Sequence, residues 1–83
     1  MITLRLLGGA KKAVGTQSVN FEGTSASVSE ILDFLGKMAV EPRLLQRGNL
    51  IVAINGVDSA SLGGDPRAVD GDVVTIVPVI HGG

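Results

Sequence analysis

The chain has 83 residues, which is enough for one small domain and too few for a second hydrophobic core. Hydrophobic residues make up 45% of the chain and charged residues 18%, and the formal net charge is −1. The only basic cluster, Lys11-Lys12, is interpreted as part of a solvated turn, so nucleic acid is not expected as a partner. Because the chain has no cysteine, disulfides, thiolate metal ligands and a cysteine nucleophile are excluded.

The amino-terminal residues do not combine a charged region with a long apolar run, so we expect no secretory signal peptide. No apolar stretch reaches the roughly 18–20 residues that a membrane span requires. We therefore expect a cytoplasmic protein that has no membrane partner.

The first two predicted strands form a β-hairpin. Residues 2–7 alternate imperfectly between apolar side chains and Thr or Arg, which is typical of a half-buried strand. A glycine-rich segment, residues 8–15, is predicted to be the connecting turn. Residues 16–22 resume a two-residue period, with Val19 and Phe21 on one face.

The clearest helix is predicted over residues 28–39. Ser27 and Glu30 fit a capping box, in which each side chain accepts a hydrogen bond from the backbone amide of the other residue. Apolar residues then recur at helical spacing on one face: Val28, Ile31, Leu32, Leu35 and Met38. A helix of about 17 Å can lie across a small sheet.

The second half of the chain carries further strand signals. A short helical turn is predicted over residues 43–47, and the continuous apolar run at 50–54 predicts a strand that is covered on at least one face. Asn55-Gly56 is the strongest hairpin signal, because a type I′ turn requires positive φ at both central residues. Residues 57–58 can form only a brief returning strand.

The last part of the chain is predicted to cross the surface and end in a strand. Residues 59–67 are polar and glycine-rich, which indicates a loop, and residues 70–72 indicate a turn. Residues 73–79 are rich in β-branched side chains and predict the final strand. If Val74 and Ile76 meet the helix, the alternate residues of this strand point outward.

This order of elements predicts an α+β fold of the β-grasp type. A mixed sheet of about five strands would curl around one main helix. The predicted domain comprises residues 1–79, and residues 80–83 are predicted to be a flexible tail.

The terminal dipeptide Gly82-Gly83 is the candidate functional site. Glycine has no Cβ, so the terminal carbonyl is unhindered and the chain can pass through a narrow channel. A carboxylate is a poor electrophile until it is activated, after which sulfur or nitrogen can attack the acyl carbon. The pattern therefore indicates that Gly83 supplies an acyl group, while the activating residues belong to a partner.

Other motifs do not support a site of their own. Residues 9–16 lack the terminal Gly-Lys-Ser/Thr and the following helix of a phosphate-binding loop. Asp65, Asp70 and Asp72 lack the spacing of a calcium loop and are interpreted as turn residues, so no metal site is predicted. No Ser and Asp are placed around His81 for hydrolase chemistry.

Three segments carry a resemblance to a known family. The hairpin at residues 52–56, the turn and strand at 70–74 and the ending at 77–83 resemble the MoaD/ThiS family of sulfur carriers, over essentially the whole chain. The similarity is closest to the small subunit of molybdopterin synthase. Archaeal small modifier proteins and the eukaryotic ubiquitin-related modifier look similar in the same segments.

The resemblance implies a function for Gly83. Its carboxylate would be adenylated by an E1-like enzyme that uses ATP and magnesium, and would then become a thiocarboxylate. In molybdopterin synthase the tail inserts into the large subunit and donates sulfur to the pterin precursor. The alternatives are a modifier that forms isopeptide bonds with lysines of target proteins, a carrier for thiazole synthesis, and a plain interaction domain. The chain itself would bind no cofactor and would not be catalytic alone.

A partner-binding surface is also expected beside the tail. It combines the outward residues of the last strand with the start of the tail: Thr75, Val77, Pro78, Val79, Ile80 and His81. An exposed apolar patch of this kind is usually covered by a partner. His81 departs from the small residue that the molybdopterin branch usually has before the two glycines, and we interpret it as a solvent-exposed tail residue. The alternative is an imidazole that makes a partner-specific hydrogen bond or assists proton transfer near the acyl group.

Overall fold

The computed structural model describes residues 1–79, apart from the side chain of Arg47. It contains a five-stranded sheet in the order β2-β1-β7-β4-β5 and a separate two-stranded sheet of β3 and β6. The elements are β1 (Ile2–Leu6), α1 (Gly9–Val14), β2 (Ser18–Phe21), β3 (Ser25–Ser27), α2 (Val28–Met38), β4 (Leu50–Ile54), β5 (Val57–Asp58), β6 (Arg67–Val69) and β7 (Val73–Pro78). Short 3₁₀ turns span Pro42–Leu45, Arg47–Asn49 and Ser59–Ser61.

The five-stranded sheet confirms the predicted β-grasp arrangement. The central strands β1 and β7 run parallel, with Leu4 opposite Val74. The antiparallel neighbours β2 and β4 flank them, and β5 completes the sheet beside β4. The first hairpin, the strand at 50–54 and the final strand are therefore placed as the sequence predicts.

Helix α2 packs on the inner face of this sheet and begins at the predicted capping box. The backbone N–H of Glu30 donates to Ser27 Oγ at 3.1 Å, and the Ser27 N–H donates to Glu30 Oε1 at 3.2 Å. Ile31 and Leu35 are completely buried. They join a core built mainly of Leu, Ile, Val and Ala, so the fold depends on aliphatic packing.

The predicted turn at residues 8–15 is wrong, because this segment contains helix α1. Ala10 and Ala13 are spaced one helical turn apart and both are fully buried. Gly15 ends the helix at φ 93°, and its N–H donates to the Lys11 carbonyl at 2.7 Å. The glycines thus bound a short helix, because a left-handed residue after the last turn is a common helix ending.

The predicted loop at residues 59–67 is only partly correct. It contains the 3₁₀ turn Ser59–Ser61, and its last residue begins β6. Strand β6 pairs with β3, with Ala68 opposite Ala26, and both alanines are buried. Strands of three residues give too little alternation to be recognised in the sequence.

The sheet has two ends, which carry different loops. The tail end is the end at which β7 finishes. The turn end is the opposite end, which carries the Asn55-Gly56 hairpin and the 70–72 turn. Asn55 and Gly56 have φ of 50° and 85°, which confirms the predicted positive φ at both hairpin residues. No helix within residues 1–79 is long and apolar enough to cross a membrane.

Candidate functional site

Strand β7 lies in the middle of the sheet and leads toward the predicted tail. Val74 and Ile76 are completely buried on the inner face, as predicted. Thr75 and Val77 lie on the outer face and are half-buried. The strand is therefore held by core packing on its inner face and by hydrogen bonding to β1 and β4 along its two edges.

Backbone contacts also hold the last described residues of β7. The Leu7 N–H donates to the Ile76 carbonyl at 3.0 Å, and the Val79 N–H donates to the Asn49 carbonyl at 2.7 Å. Pro78 lies close to α1, since a Cβ added at Gly9 would be 3.2 Å from Pro78 Cγ. Val79, the last described residue, is thus held at a defined position directly after β7.

The outer face of the sheet is apolar beside this point. Ile51 lies opposite Val77 in β4 and is 39% exposed, and Val79 is 37% exposed. Leu7, which follows β1, is 41% exposed. Strand alternation places these four side chains on one face, and we call them the outer patch: Leu7, Ile51, Val77 and Val79.

The sequence identified Val77 and Val79 but missed Leu7 and Ile51. Ile51 belongs to a continuous apolar run, in which alternation does not reveal the open face. Its neighbours Val52 and Ile54 are buried, so the run has one covered face and one open face. Thr75 lies opposite Ala53 and Arg5, beyond the apolar patch.

The outer face becomes more polar toward the β2 edge. A shallow depression of about 220 Å³ is lined by Thr3, Arg5, Leu7, Gln17 and Ser18. It has one charged group and no pair of groups arranged for acid–base chemistry. Within residues 1–79, no cluster of three or more His, Asp or Glu side chains could hold a metal ion.

Within residues 1–79, two carboxylates have a lowered pKa, and both lie away from the end of β7. Hydrogen bonds from the Ser27 backbone and hydroxyl lower the pKa of Glu30, and the nearby Arg67 adds to the effect. The pKa of Asp72 is lowered by the Val69 N–H and by the Asn55 amide. Both shifts are explained by local structural hydrogen bonds, so neither indicates a catalytic acid or base.

The remaining predicted site residues are Ile80, His81, Gly82 and Gly83. They lie outside the described residues, so their predicted roles stay predictions. The partner-binding roles of Thr75, Val77, Pro78 and Val79 also remain predictions, although the first three lie in β7 and Val79 follows it directly.

A β-grasp sheet packed on one main helix, with the dipeptide Gly82-Gly83 shortly after its last strand in the sequence, is typical of a ubiquitin-like protein. The chain belongs to the ThiS family, whose sequence profile matches residues 4–83. This is a family of ubiquitin-like sulfur carriers. No protein of curated function matches the sequence significantly.

Solved structures show the same fold. A chain of the Amycolatopsis orientalis BexX/CysO complex is 26% identical, with a TM-score of 0.74 and 100% of both chains covered. The HVO 2177 protein of Haloferax volcanii is 26% identical, with a TM-score of 0.75 over 99% of this chain and 85% of that one. The small archaeal modifier protein 1 of Methanosarcina acetivorans is 22% identical, with a TM-score of 0.76 over 99% and 95% of the two chains, and it supports the fold alone.

Proposed function

We propose that this chain is a sulfur carrier whose C-terminal Gly83 carboxylate is activated by an E1-like enzyme and converted to a thiocarboxylate. The observation that carries the proposal is the Gly82-Gly83 ending of a ThiS-family domain, reached directly from its central strand. The chain acts as the substrate of its partners, and the catalytic groups belong to them.

The proposed chemistry has two steps. A carboxylate oxygen of Gly83 attacks the α-phosphorus of ATP on the partner, which also binds magnesium, and pyrophosphate leaves. Hydrosulfide then attacks the acyl carbon and AMP leaves, so the –COOH group becomes –COSH. Gly82 and Gly83 favour both steps, because no Cβ crowds the reacting carbon.

The described geometry supports delivery of the tail into a partner. Val79 is held by Asn49 at the edge of the domain, and four residues follow it. Four extended residues span at most about 14 Å, so the partner's active site must lie close to the surface of this domain. The outer patch beside β7 is the surface proposed to contact that partner, together with Thr75, Pro78, Ile80 and His81.

The proposed sulfur acceptor is the pterin precursor of molybdopterin, bound by a large subunit that receives the tail. The Gly71-Asp72 turn before β7 and the Pro78-containing ending support this choice by their resemblance to the small subunit of molybdopterin synthase. Thiazole synthesis and conjugation to lysines of target proteins use the same activated carboxylate, so they are outcomes that the experiment must separate.

Intact mass spectrometry tests the activation step. The chain is incubated with the E1-like enzyme of its own organism, ATP, magnesium and sulfide. We expect a gain of about 16 Da, because sulfur replaces one carboxylate oxygen. A variant that lacks Gly82 and Gly83 is the matched control, and it should gain no mass while keeping the melting temperature of the full chain. An unchanged mass of the full chain would contradict the proposal.

The fate of the activated chain tests the pathway. Thiocarboxylated protein is mixed with the large subunit and the pterin precursor, and we expect molybdopterin to form while the carrier returns to its original mass. Thiazole formation would instead assign the chain to the other carrier branch. Covalent ladders on denaturing gels that disappear when Gly82 and Gly83 are deleted would assign it to the modifiers.

A further inference from the structure

The fold collects basic residues at the tail end. Helix α1 follows β1 directly, and the N–H groups of Val40 and Glu41 both donate to the Ala13 carbonyl, at 2.8 and 3.1 Å. These bonds bring α1, the last turn of α2 and the turn Pro42–Leu45 to one end of the sheet. The exposed cations of these elements are Lys11, Lys12, Lys37 and Arg43.

The acidic residues are distributed differently. Within residues 1–79, Glu41, which directly precedes the Pro42–Leu45 turn, is the one carboxylate beside these tail-end elements, and its Oε2 lies 3.9 Å from the Arg43 guanidinium. No carboxylate of residues 1–79 lies within salt-bridge distance of Lys11 or Lys12. The other acidic residues lie at the turn end, in the first half of α2 and in the surface segment after β5: Glu22, Glu30, Asp33, Asp58, Asp65, Asp70 and Asp72. A chain with a net charge of −1 therefore has a basic tail end.

Exposed apolar side chains accompany the cations. Val40 is 74% exposed and is the most exposed large hydrophobic residue of residues 1–79, and Met38 is 43% exposed. Leu7 and Val79 of the outer patch lie at the same end. Protein–protein contact surfaces commonly combine an apolar centre with a polar rim.

Stabilisation of the helix ends explains only some of these exposed residues. Lys11 and Lys12 lie in the last turn of α1, and Lys37 lies in the last turn of α2, where cations stabilise the helix dipole by a small amount. The dipole does not explain Arg43 or the exposure of Val40. It also does not explain why the carboxylates are nearly absent from this end.

We propose that Lys11, Lys12, Lys37 and Arg43 form a docking surface for an acidic surface around the tail entrance of the activating enzyme. This inference rests on the proposed function, because it concerns the partner that receives Gly83. The basic tail end would orient the approaching carrier so that its terminus meets the active site first. Such steering raises the association rate at low ionic strength and weakens as salt screens the charges.

The test compares two variants with the same change in net charge. Lys11→Gln/Lys12→Gln removes two positive charges at the tail end. Thr24→Glu/Ala60→Glu adds two negative charges at exposed positions away from the tail end. The Thr24 carbonyl accepts from the Asp70 N–H beside the 70–72 turn, and Ala60 lies in the 3₁₀ turn that follows β5. Adenylation by the E1-like enzyme is followed as ATP–pyrophosphate exchange between about 20 and 300 mM NaCl, a range over which screening becomes strong.

We expect the tail-end variant to lower kcat/KM about tenfold at low salt, with kcat unchanged, and the difference to shrink at high salt. The control variant should change kcat/KM less than twofold, and thermal melting should show that both variants fold. If the tail-end variant matches the wild type at every salt concentration, the docking inference is wrong and the proposed function stands. Equal losses in both variants would also overturn it, because net charge alone would then account for the effect. No adenylation of the wild type would overturn both proposals.

Discussion

At the turn end, side-chain hydrogen bonds join the loops to one another, whereas at the tail end backbone hydrogen bonds hold the last residues of the central strand; exposed apolar side chains occur at both ends. The Asn55 amide donates to Asp72 Oδ1 at 2.9 Å, and its oxygen accepts from the Val73 N–H at 2.9 Å. Asp72 Oδ2 accepts from the Val69 N–H at 2.8 Å, and the Met1 ammonium group pairs with Asp70. The turn end therefore holds the hairpin and the turn before β7 in register.

The tail end has a different set of contacts. Val79 is held through its backbone to Asn49, while Leu7 and Ile51 each leave about two fifths of their surface exposed. Exposed apolar surface at the end of a central strand adds little to the stability of the isolated domain and becomes useful when a partner covers it. The turn end thus carries residues that stabilise the fold, and the tail end carries residues available for binding, so substitutions at the two ends should have separate effects.

The largest expected effect is the loss of stability on Asn55→Ala at the turn end. Alanine removes both side-chain hydrogen bonds. It also puts a Cβ at φ 50°, in the left-handed region, without the short polar side chain that lets asparagine adopt this conformation. We expect the free energy of unfolding to fall by about 2 kcal/mol, with the rate of Gly83 adenylation unchanged in the folded protein. Urea unfolding measures the first quantity, and ATP–pyrophosphate exchange measures the second.

Two further variants sharpen this prediction. Asn55→Gly keeps the backbone conformation without strain and loses the same hydrogen bonds, so it should cost less than Asn55→Ala. Asn20→Ala changes an exposed asparagine of β2 and should stay within about 0.5 kcal/mol of the wild type. Equal stability of Asn55→Ala and Asn20→Ala would show that the side-chain network does not hold the turn end.

The next effect is expected at the tail end, where Val77→Asp places a charge in the outer patch. We expect kcat/KM for adenylation to fall at least about tenfold, which corresponds to roughly 1.4 kcal/mol of lost interaction with the partner. The isosteric Val77→Thr should lose less, and it keeps the β-branched shape that the central strand favours. Both losses are measured as kcat/KM for adenylation, with the same concentration of folded protein for each variant.

The matched control is the same substitution at the other end. Val57 is 47% exposed and lies in the edge strand β5, beside the turn-end hairpin. Val57→Asp should leave adenylation within about twofold of the wild type, because no partner contact is proposed there. If Val57→Asp and Val77→Asp lower kcat/KM equally, the outer patch is not the contact surface.

Local signals in the sequence predicted the parts of the fold that local chemistry determines. The capping box at Ser27 and Glu30 and the positive φ at Asn55 are properties of a few neighbouring residues, and the structure confirms both. Helix α1 was missed because its glycines favour a turn, although the burial of Ala10 and Ala13 depends on packing that a short segment does not reveal.

The residues that gather at each end of the sheet could not be predicted from the sequence and become apparent only in the tertiary structure. Charges of both signs are distributed along the whole chain, so the linear sequence gives no indication that Lys11 and Arg43 lie at the same end of the sheet. Likewise, Ile51 lies within a continuous apolar run, so its exposure is not apparent from the sequence. The pairing of β4 with β7 places it beside Val77. The Gly82-Gly83 ending, in contrast, is a local signal, which is why the sequence indicated the reacting group before it indicated the surface around it.

The smallest expected effect is a pH dependence of stability at the turn end. Hydrogen bonds from Val69 and Asn55 lower the folded-state pKa of Asp72 below its ordinary value of 3.8. The stability that this carboxylate contributes is therefore fully present above about pH 4, and it is lost as the pH falls through the lowered pKa. Glu30 has a lowered pKa as well, so its contribution disappears in the same acidic range.

Urea unfolding measured at several pH values between about 2 and 6 tests the contribution of Asp72. Asp72→Asn should unfold at lower urea than the wild type near pH 6, and the two midpoints should converge as the pH falls, because protonation removes the same charge from the wild type. Asp65→Asn, in the exposed segment before β6, is the control and should follow the wild type throughout. A constant gap between Asp72→Asn and the wild type down to the lowest pH would mean that the ionised carboxylate does not stabilise the turn end. In that case the turn end would be held by the hydrogen bonds that do not need the charge of Asp72, such as the one from the Val73 N–H to the Asn55 side-chain oxygen.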